Sequence, residues 1–147
     1  MPAWVTTGYE EYAKRLPREY EVALVELKPA PRDSGKPPAQ LLAAEALRIR
    51  ASCAGSTLVA LDERGAAWTT RQLAQRLQDW RDSAQDVAFV IGSADGLDDT
   101  IKREASANFA LSALTLPHGL ARVILAEQLY RAVSVLTGHP YHRDSLA

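Results

Sequence analysis

The sequence predicts an α/β protein with a mostly parallel sheet covered on both faces by helices. Three observations predict it. Apolar spacing switches repeatedly between periods of about 3.6 and about 2 along the chain. Short continuous apolar runs, Thr57-Leu58-Val59-Ala60-Leu61 and Val87-Ala88-Phe89-Val90-Ile91, read as strands buried on both faces. Helical stretches separate those runs, as parallel crossovers require.

Taken in order, Val5, Tyr9, Tyr12 and Leu16 share a helical face that must end near Pro17. Residues 20–27 alternate in part and are rich in Val and Leu, which predicts a strand. Pro29, Pro31, Gly35, Pro37 and Pro38 then mark a surface loop. Residues 38–51 are rich in Ala and Leu and predict a helix with Leu41, Leu42, Ala46 and Leu47 on its buried face. The strand at 57–61 stops at Asp62-Glu63-Arg64-Gly65. Thr69 or Thr70 caps the next helix, where Leu73, Leu77 and Trp80 follow i, i+4, i+7. The strand at 87–91 runs straight into Gly92. A helix over residues 98–107 follows, with Asp98 and Asp99 at its positive end. Residues 109–116 predict a third strand, stopped by Pro117. The last helix, over residues 119–136, turns Leu120, Ile124, Leu129, Val133 and Leu136 to a core.

Length and composition narrow the function. A chain of 147 residues is one domain, spanning 1–147. With 47% hydrophobic and 24% charged residues it is an ordinary globular protein, which excludes disorder and fibrous repeats. Seventeen basic against eighteen acidic residues leave a net charge of −1, so a polyanion must be met by a local patch. Cys53 is the one cysteine and excludes an internal disulfide or a multi-cysteine zinc site. A reducing compartment, the cytoplasm, fits best. The start Met1-Pro2-Ala3-Trp4 does not read as a signal peptide, and no apolar run reaches membrane-spanning length.

In parallel sheets ligands bind beyond the carboxyl ends of the strands. Here those ends are Leu61-Asp62, Ile91-Gly92 and Leu114-Thr115-Leu116. Gly92-Ser93-Ala94-Asp95-Gly96 is either a tight strand-to-helix turn or a place where main chain meets a ligand closely. It is not a phosphate loop. Leu111-Ser112-Ala113-Leu114-Thr115-Leu116-Pro117-His118 either caps a buried strand or offers amides and carbonyls to a purine edge. His139-Pro140-Tyr141-His142-Arg143 gathers two imidazoles, a phenol and a guanidinium after the last helix. Such a group suits RNA, whose splayed bases stack on aromatic rings and whose phosphates pair with Arg. The alternative is a solvated terminus. The His139/His142 spacing lacks the further ligands a metal needs, so no metal is expected. Arg122 and Arg131 continue a basic strip or form ordinary ion pairs with Glu127.

Read together, Trp4-Val5…Gly8-Tyr9…Tyr12-Ala13-Lys14-Arg15-Leu16-Pro17, Leu61-Asp62-Glu63-Arg64-Gly65, Ile91-Gly92…Gly96-Leu97, the run from Leu111 to His118, Ala121-Arg122-Val123…Glu127-Gln128-Leu129-Tyr130-Arg131-Ala132 and His139-Pro140-Tyr141-His142-Arg143 resemble one family. The chain is similar over essentially its whole length to the ribosomal RNA large subunit methyltransferase H family. The resemblance implies a SPOUT fold, an α/β sheet with a C-terminal trefoil knot. It implies methylation of N3 of a pseudouridine in 23S ribosomal RNA with S-adenosylmethionine. Leu61, Gly92 and the run Leu111, Ser112, Ala113, Leu114, Thr115 and Leu116 would line the cofactor site.

The resemblance further implies a homodimer in which the final helix and tail complete the active site near the subunit interface. Its RNA partner is the large subunit or the assembled ribosome, and the near-neutral charge favours the assembled particle. The expected catalytic residues are His142 as the base for the N3 proton, Arg143 to stabilise the anion or hold phosphate, and Tyr141 to stack on or orient the base. His118 and Arg122 would grip RNA. Two departures stand out. The family usually begins with a further strand and a Gly-containing turn, so this chain reads as lacking the first strand. It also carries Ser93-Ala94-Asp95 where the family commonly has Gly-Pro-Glu. A rival reading is a non-catalytic RNA- or ribosome-binding protein of the same fold; composition and periodicity alone would support an unrelated small-molecule binder.

Overall fold

In the computed structural model, residues 1–143 are described. Eight elements organise them: α1 (Ala3–Ala13), α2 (Pro38–Ser52), β1 (Thr57–Ala66), α3 (Thr70–Asp82), β2 (Val87–Val90), α4 (Asp99–Glu104), β3 (Ala107–Phe109) and α5 (His118–Thr137). Short 3₁₀ turns lie at Arg18–Tyr20, Arg32–Ser34 and Pro140–Arg143. The described strands form one sheet of order β2-β1-β3, and both pairings are parallel. The expected α/β class with a parallel sheet and helices is therefore present. No helix of the described residues is long and apolar enough to cross a membrane.

The chain divides into two compact units. One comprises Leu24–Ala67 and Gln85–His118. It holds the sheet with α2 and α4, packed through Ala46 and Ile49 of α2, Ala60 of β1, Val90 of β2, Leu97 from the chain leading into α4, and Ile101 of α4. Ala60 and Ile101 are fully buried. Burial at these positions supplies the main stabilising term, because each side chain removed from water contributes about 1–3 kcal/mol. Cys53 packs beside this core, and burial pushes its thiol pKa up, away from nucleophilic use.

The other unit comprises Met1–Ala23, Trp68–Ala84 and Gly119–Ala147, of which residues to 143 are described. It holds α1, α3 and α5. Thr69 caps α3 by a full capping box with Gln72, as the sequence expected of Thr69 or Thr70. Thr70 Oγ1 meets Gln128 Oε1 at 2.8 Å, tying α3 to α5. Glycine sets how closely α1 approaches α5: a Cβ on Gly119 would lie 2.8 Å from Cγ2 of the fully buried Val5.

Five local expectations need correction. Residues 20–27 form no strand. Leu24, Val25 and Leu27 are 46%, 62% and 38% exposed, and no described strand supplies the ladder partner that an extended segment needs. The helix expected over 98–107 ends at Glu104, because Ala105 is extended and the Ser106 amide already donates to Leu58 of the sheet. The third strand is Ala107–Phe109 and not 109–116. Past Ala110, whose amide donates to Ala66, Ser112 Oγ takes the Leu114 amide and Pro117 has none to give. In α2, Leu47 is 68% exposed while Glu45 is 8% exposed, so the buried stripe is Leu41, Glu45, Ala46 and Ile49. In α5, Leu129 and Val133 are buried as expected, but Leu120, Ile124 and Leu136 are only half-buried, and Ala121, Leu125, Ala126 and Ala132 complete the buried stripe.

Candidate active site

The expected site residues fall into two groups, one in each unit. In the sheet unit, parallel pairing aligns Ala60 of β1 with Val90 and Leu61 with Phe109. The carboxyl ends of β2 and β3 therefore lie beside Ala60 and Leu61, while β1, expected to stop after Leu61, runs on to Ala66. Leu61 is half-buried there. Beyond it the β1 register breaks, and β1 resumes its pairing at Ala66. Gly65 permits this, since a Cβ there would stand 2.6 Å from the Asn108 carbonyl.

Gly92 leaves β2 into a tight turn in which the Gly96 amide donates to the Ser93 carbonyl at 2.8 Å. A Cβ on Gly92 would meet the Gly96 carbonyl at 2.5 Å, and Gly96 has φ +84°, so glycine is required at both ends. The turn is compatible with Ser93-Ala94-Asp95 between them.

Residues 111–116 follow β3 as irregular chain. Leu111, Ser112 and Leu116 are half-buried, and Ala113, Leu114 and Thr115 are exposed, Leu114 to 74%. Thr115 Oγ1 donates to Glu63 Oε2 at 2.6 Å, which ties this segment to the chain leaving β1. His118, expected to grip RNA, lies 2.6 Å through Nδ1 from the Gly92 carbonyl oxygen. Leu61, the Gly92 turn, residues 111–116 and His118 are thus linked at one edge of one sheet.

Sequence reading missed the network on the other side of that turn. Glu45 accepts from the Ala30 amide at 2.9 Å, from Arg32 Nη1 at 3.0 Å and from Ser93 Oγ at 2.9 Å. Burial alone would raise its pKa, but these hydrogen bonds prevail and hold its carboxyl below the usual range. The i, i+4, i+8 spacing of Leu41, Glu45 and Ile49 carried the signal, since it places a carboxylate inside an apolar stripe.

In the helical unit, the 3₁₀ turn Pro140–Arg143 folds the tail onto α5. Tyr141 Oη donates to Glu127 Oε2 at 2.9 Å; its ring centroid is 4.6 Å from that of Tyr130 and 4.7 Å from the Arg131 guanidinium carbon. Burial and the Glu127 carboxylate together push the Tyr141 phenol far above its ordinary pKa. His142 Nδ1 lies 2.6 Å from the His139 carbonyl oxygen and donates to it, which turns Nε2 away from that contact. Arg143 is exposed. Arg122, the other residue expected to grip RNA, is 7% exposed, and its charge acts on the Tyr9 phenol. Among the described residues no group of three or more His, Cys, Asp or Glu side chains is placed to hold a metal ion.

This arrangement offers glycine-turned main chain and half-buried leucines at strand ends, and separately an imidazole beside a guanidinium. Comparison with known proteins identifies the family. A family model described as "Predicted SPOUT methyltransferase" matches residues 1–142. The chain is 56% identical over 97% of its length to a protein of Nitrosospira multiformis named ribosomal RNA large subunit methyltransferase H, covering 92% of that protein. Proteins of the same name from Bordetella petrii and Paraburkholderia xenovorans are 55% and 52% identical over the same shares. With a family match over nearly every residue and more than half of the positions identical, the chain belongs to the SPOUT methyltransferase family.

Proposed function

We infer that the chain transfers the methyl group of S-adenosylmethionine to N3 of a pseudouridine in 23S ribosomal RNA. What carries this reading is the likeness, over 97% of the chain, to proteins named ribosomal RNA large subunit methyltransferase H. That likeness favours an enzyme over the non-catalytic binder of the same fold.

The strand-end residues fit such a cofactor. Leu61, Leu111 and Leu116 are half-buried apolar side chains suited to the faces of an adenine, and the irregular main chain at 111–116 suits its hydrogen-bonding edge. Leu61, Gly92 and Leu111, Ser112, Ala113, Leu114, Thr115 and Leu116 would hold it, in loops that the SPOUT class ties into a trefoil knot. The cofactor supplies a methyl group on a positively charged sulfur, a good leaving group, so the protein contributes orientation and charge placement.

The N3 proton must leave during transfer. His142 takes it through Nε2, the nitrogen turned away from the His139 contact. Arg143 stabilises the developing anion, and Tyr141, fixed as a neutral phenol by Glu127, orients the base. We propose a cytoplasmic homodimer of single-domain subunits, in which α5 and the tail complete the active site near the interface. Met1 and Trp4, 57% and 56% exposed on and beside α1, are apolar surface that such a partner can cover.

The test is methyl transfer from labelled S-adenosylmethionine to large subunits and to assembled ribosomes, each with and without pseudouridine. Label in 23S RNA at N3, dependent on pseudouridine, is expected. A folded chain that binds the cofactor but transfers nothing to any particle would overturn the reading in favour of a non-catalytic binder.

A further inference from the structure

The geometry points to Arg32 as the positioning residue of the Gly92 turn, holding that turn in its cofactor-competent shape from the far side. The assignment rests on the reading of this turn as part of the cofactor site. Arg32 stands on the 3₁₀ turn Arg32–Ser34, in the proline-rich segment that has no sheet or helix ladder of its own. Each nitrogen of its guanidinium is used. Nε pairs with Asp95 Oδ2 at 2.8 Å, Nη2 donates to Ser93 Oγ at 2.8 Å, and Nη1 donates to Glu45 Oε2 at 3.0 Å and to the Ala30 carbonyl at 2.8 Å. Ser93 passes its own proton to Glu45 Oε1 at 2.9 Å, which closes a ring of Arg32, Ser93 and Glu45.

Ser93 and Asp95 flank Ala94 at the tip of the turn, so one planar group grips both sides of it. A fork of fixed N–H directions is suited to that task, whereas an ammonium would supply a point charge. Glu45 anchors the fork: it is 8% exposed on α2, whose neighbours Ala46 and Ile49 belong to the sheet's packed core. From the other side His118 holds the Gly92 carbonyl. The turn is thus clamped at its side chains by Arg32 and at its main chain by His118. Where main chain lines a ligand site, displacement by a fraction of an ångström weakens binding. Arg32 touches the turn and not the reacting atoms. Its loss therefore acts on cofactor affinity ahead of turnover.

Two variants test this, Arg32→Ala and Ser93→Ala, the second removing one hydroxyl without disturbing the charge pair. Hydrogen exchange is measured on the cofactor-free proteins, cofactor affinity by calorimetry with S-adenosylmethionine and S-adenosylhomocysteine, and KM and kcat on ribosomes. Arg32→Ala is expected to speed exchange at residues 92–97, to raise the cofactor Kd and KM about tenfold, and to change kcat at saturating cofactor less than about threefold. Ser93→Ala should shift the same quantities the same way by less, and Arg32→Lys should restore part of the affinity. Exchange at 92–97 equal to the parent protein's overturns the clamp, whatever the cofactor does. Faster exchange with unchanged cofactor Kd overturns the positioning role and leaves Arg32 a stabilising residue. A folded parent protein that binds neither cofactor form overturns the reading of the site itself, and the exchange data distinguish that failure from the clamp's.

Discussion

His118 Nδ1 lies 2.6 Å from the carbonyl oxygen of Gly92, so the last residue of the sheet unit holds the turn that follows β2 in the same unit. A carbonyl only accepts, and the ring nitrogen therefore donates. A residue expected from sequence to grip RNA has an immediate structural partner in the proposed cofactor loop.

Substituting His118 by Ala is accordingly expected to weaken S-adenosylmethionine binding about fivefold, the equivalent of about 1 kcal/mol for one lost hydrogen bond. His118→Asn keeps an N–H at similar reach and should stay within about twofold of the parent. Calorimetry on each variant, beside ribosome binding without cofactor, checks this. Loss of ribosome affinity with cofactor affinity intact would return His118 to the RNA.

Glu45 makes a second prediction, in acid. Burial opposes its ionisation, but Arg32, the Ala30 amide and Ser93 hold its pKa below the ordinary 4.5. As pH falls, the unfolded chain takes up the proton first. The contribution of Glu45 to stability is therefore complete above about pH 4.5 and is lost as pH falls through the depressed native value. Urea unfolding should find Glu45→Gln less stable by about 2 kcal/mol at neutral pH, since it leaves Arg32 short of a charged partner. The gap should narrow as pH falls below about 4.5 and through the depressed native value. Parallel curves across that range would remove Glu45 as the acid-sensitive group.

Elements with local signals were legible in the sequence, and those defined by distant partners were not. The α3 cap rests on Thr69 and Gln72, three residues apart, and could be read directly. The apolar runs of β1 and β2 read directly as strands, although β1 alone is central and β2, half-buried up to Phe89, lies at an edge of the described sheet. Residues 20–27 carry a strand-like pattern, but a pattern cannot supply a ladder partner. The third strand was placed too late because β3 ends where Ser112 Oγ and Pro117 remove the amides that a ladder would use. At the candidate site, Gly92 follows from where a parallel strand ends, whereas residues 111–116 begin two residues past the end of β3. Arg32 and Glu45, thirteen residues apart, meet only once the proline-rich segment has folded back on α2.

Tyr141 predicts behaviour in alkali. Burial and its hydrogen bond to Glu127 raise its pKa well above the ordinary 10.0. In the unfolded chain the phenol ionises first, so its contribution is whole below about pH 10 and is lost as pH rises towards the native value. Tyr141→Phe should flatten the fall in stability above about pH 10. In ultraviolet titration the variant should lack one late-ionising phenol of the folded parent, beyond that of Tyr9, which burial also raises. A matching late step in Tyr141→Phe would assign that phenol to another residue. The same argument excludes a Tyr141 phenolate at working pH, so Tyr141→Phe should leave the pH profile of methyl transfer unshifted.

Arg143 supplies the sharpest division between chemistry and binding. It is exposed at the end of the turn Pro140–Arg143, where it presents a cationic guanidinium fork. If that charge meets the anion developing at N3, its contribution grows in the transition state and appears in kcat. Arg143→Ala should then lower single-turnover methylation on saturating ribosomes by about a hundredfold, while the calorimetric Kd for S-adenosylmethionine stays within about twofold. A residue holding phosphate would behave differently: its loss would raise KM for ribosomes and flatten the salt dependence of binding, with kcat nearly intact. Arg143→Lys keeps the charge and loses the fork, so it should recover part of kcat in the first case. Equal loss of turnover and cofactor affinity in Arg143→Ala would remove the residue from both roles, because only a disturbed cofactor site would produce it.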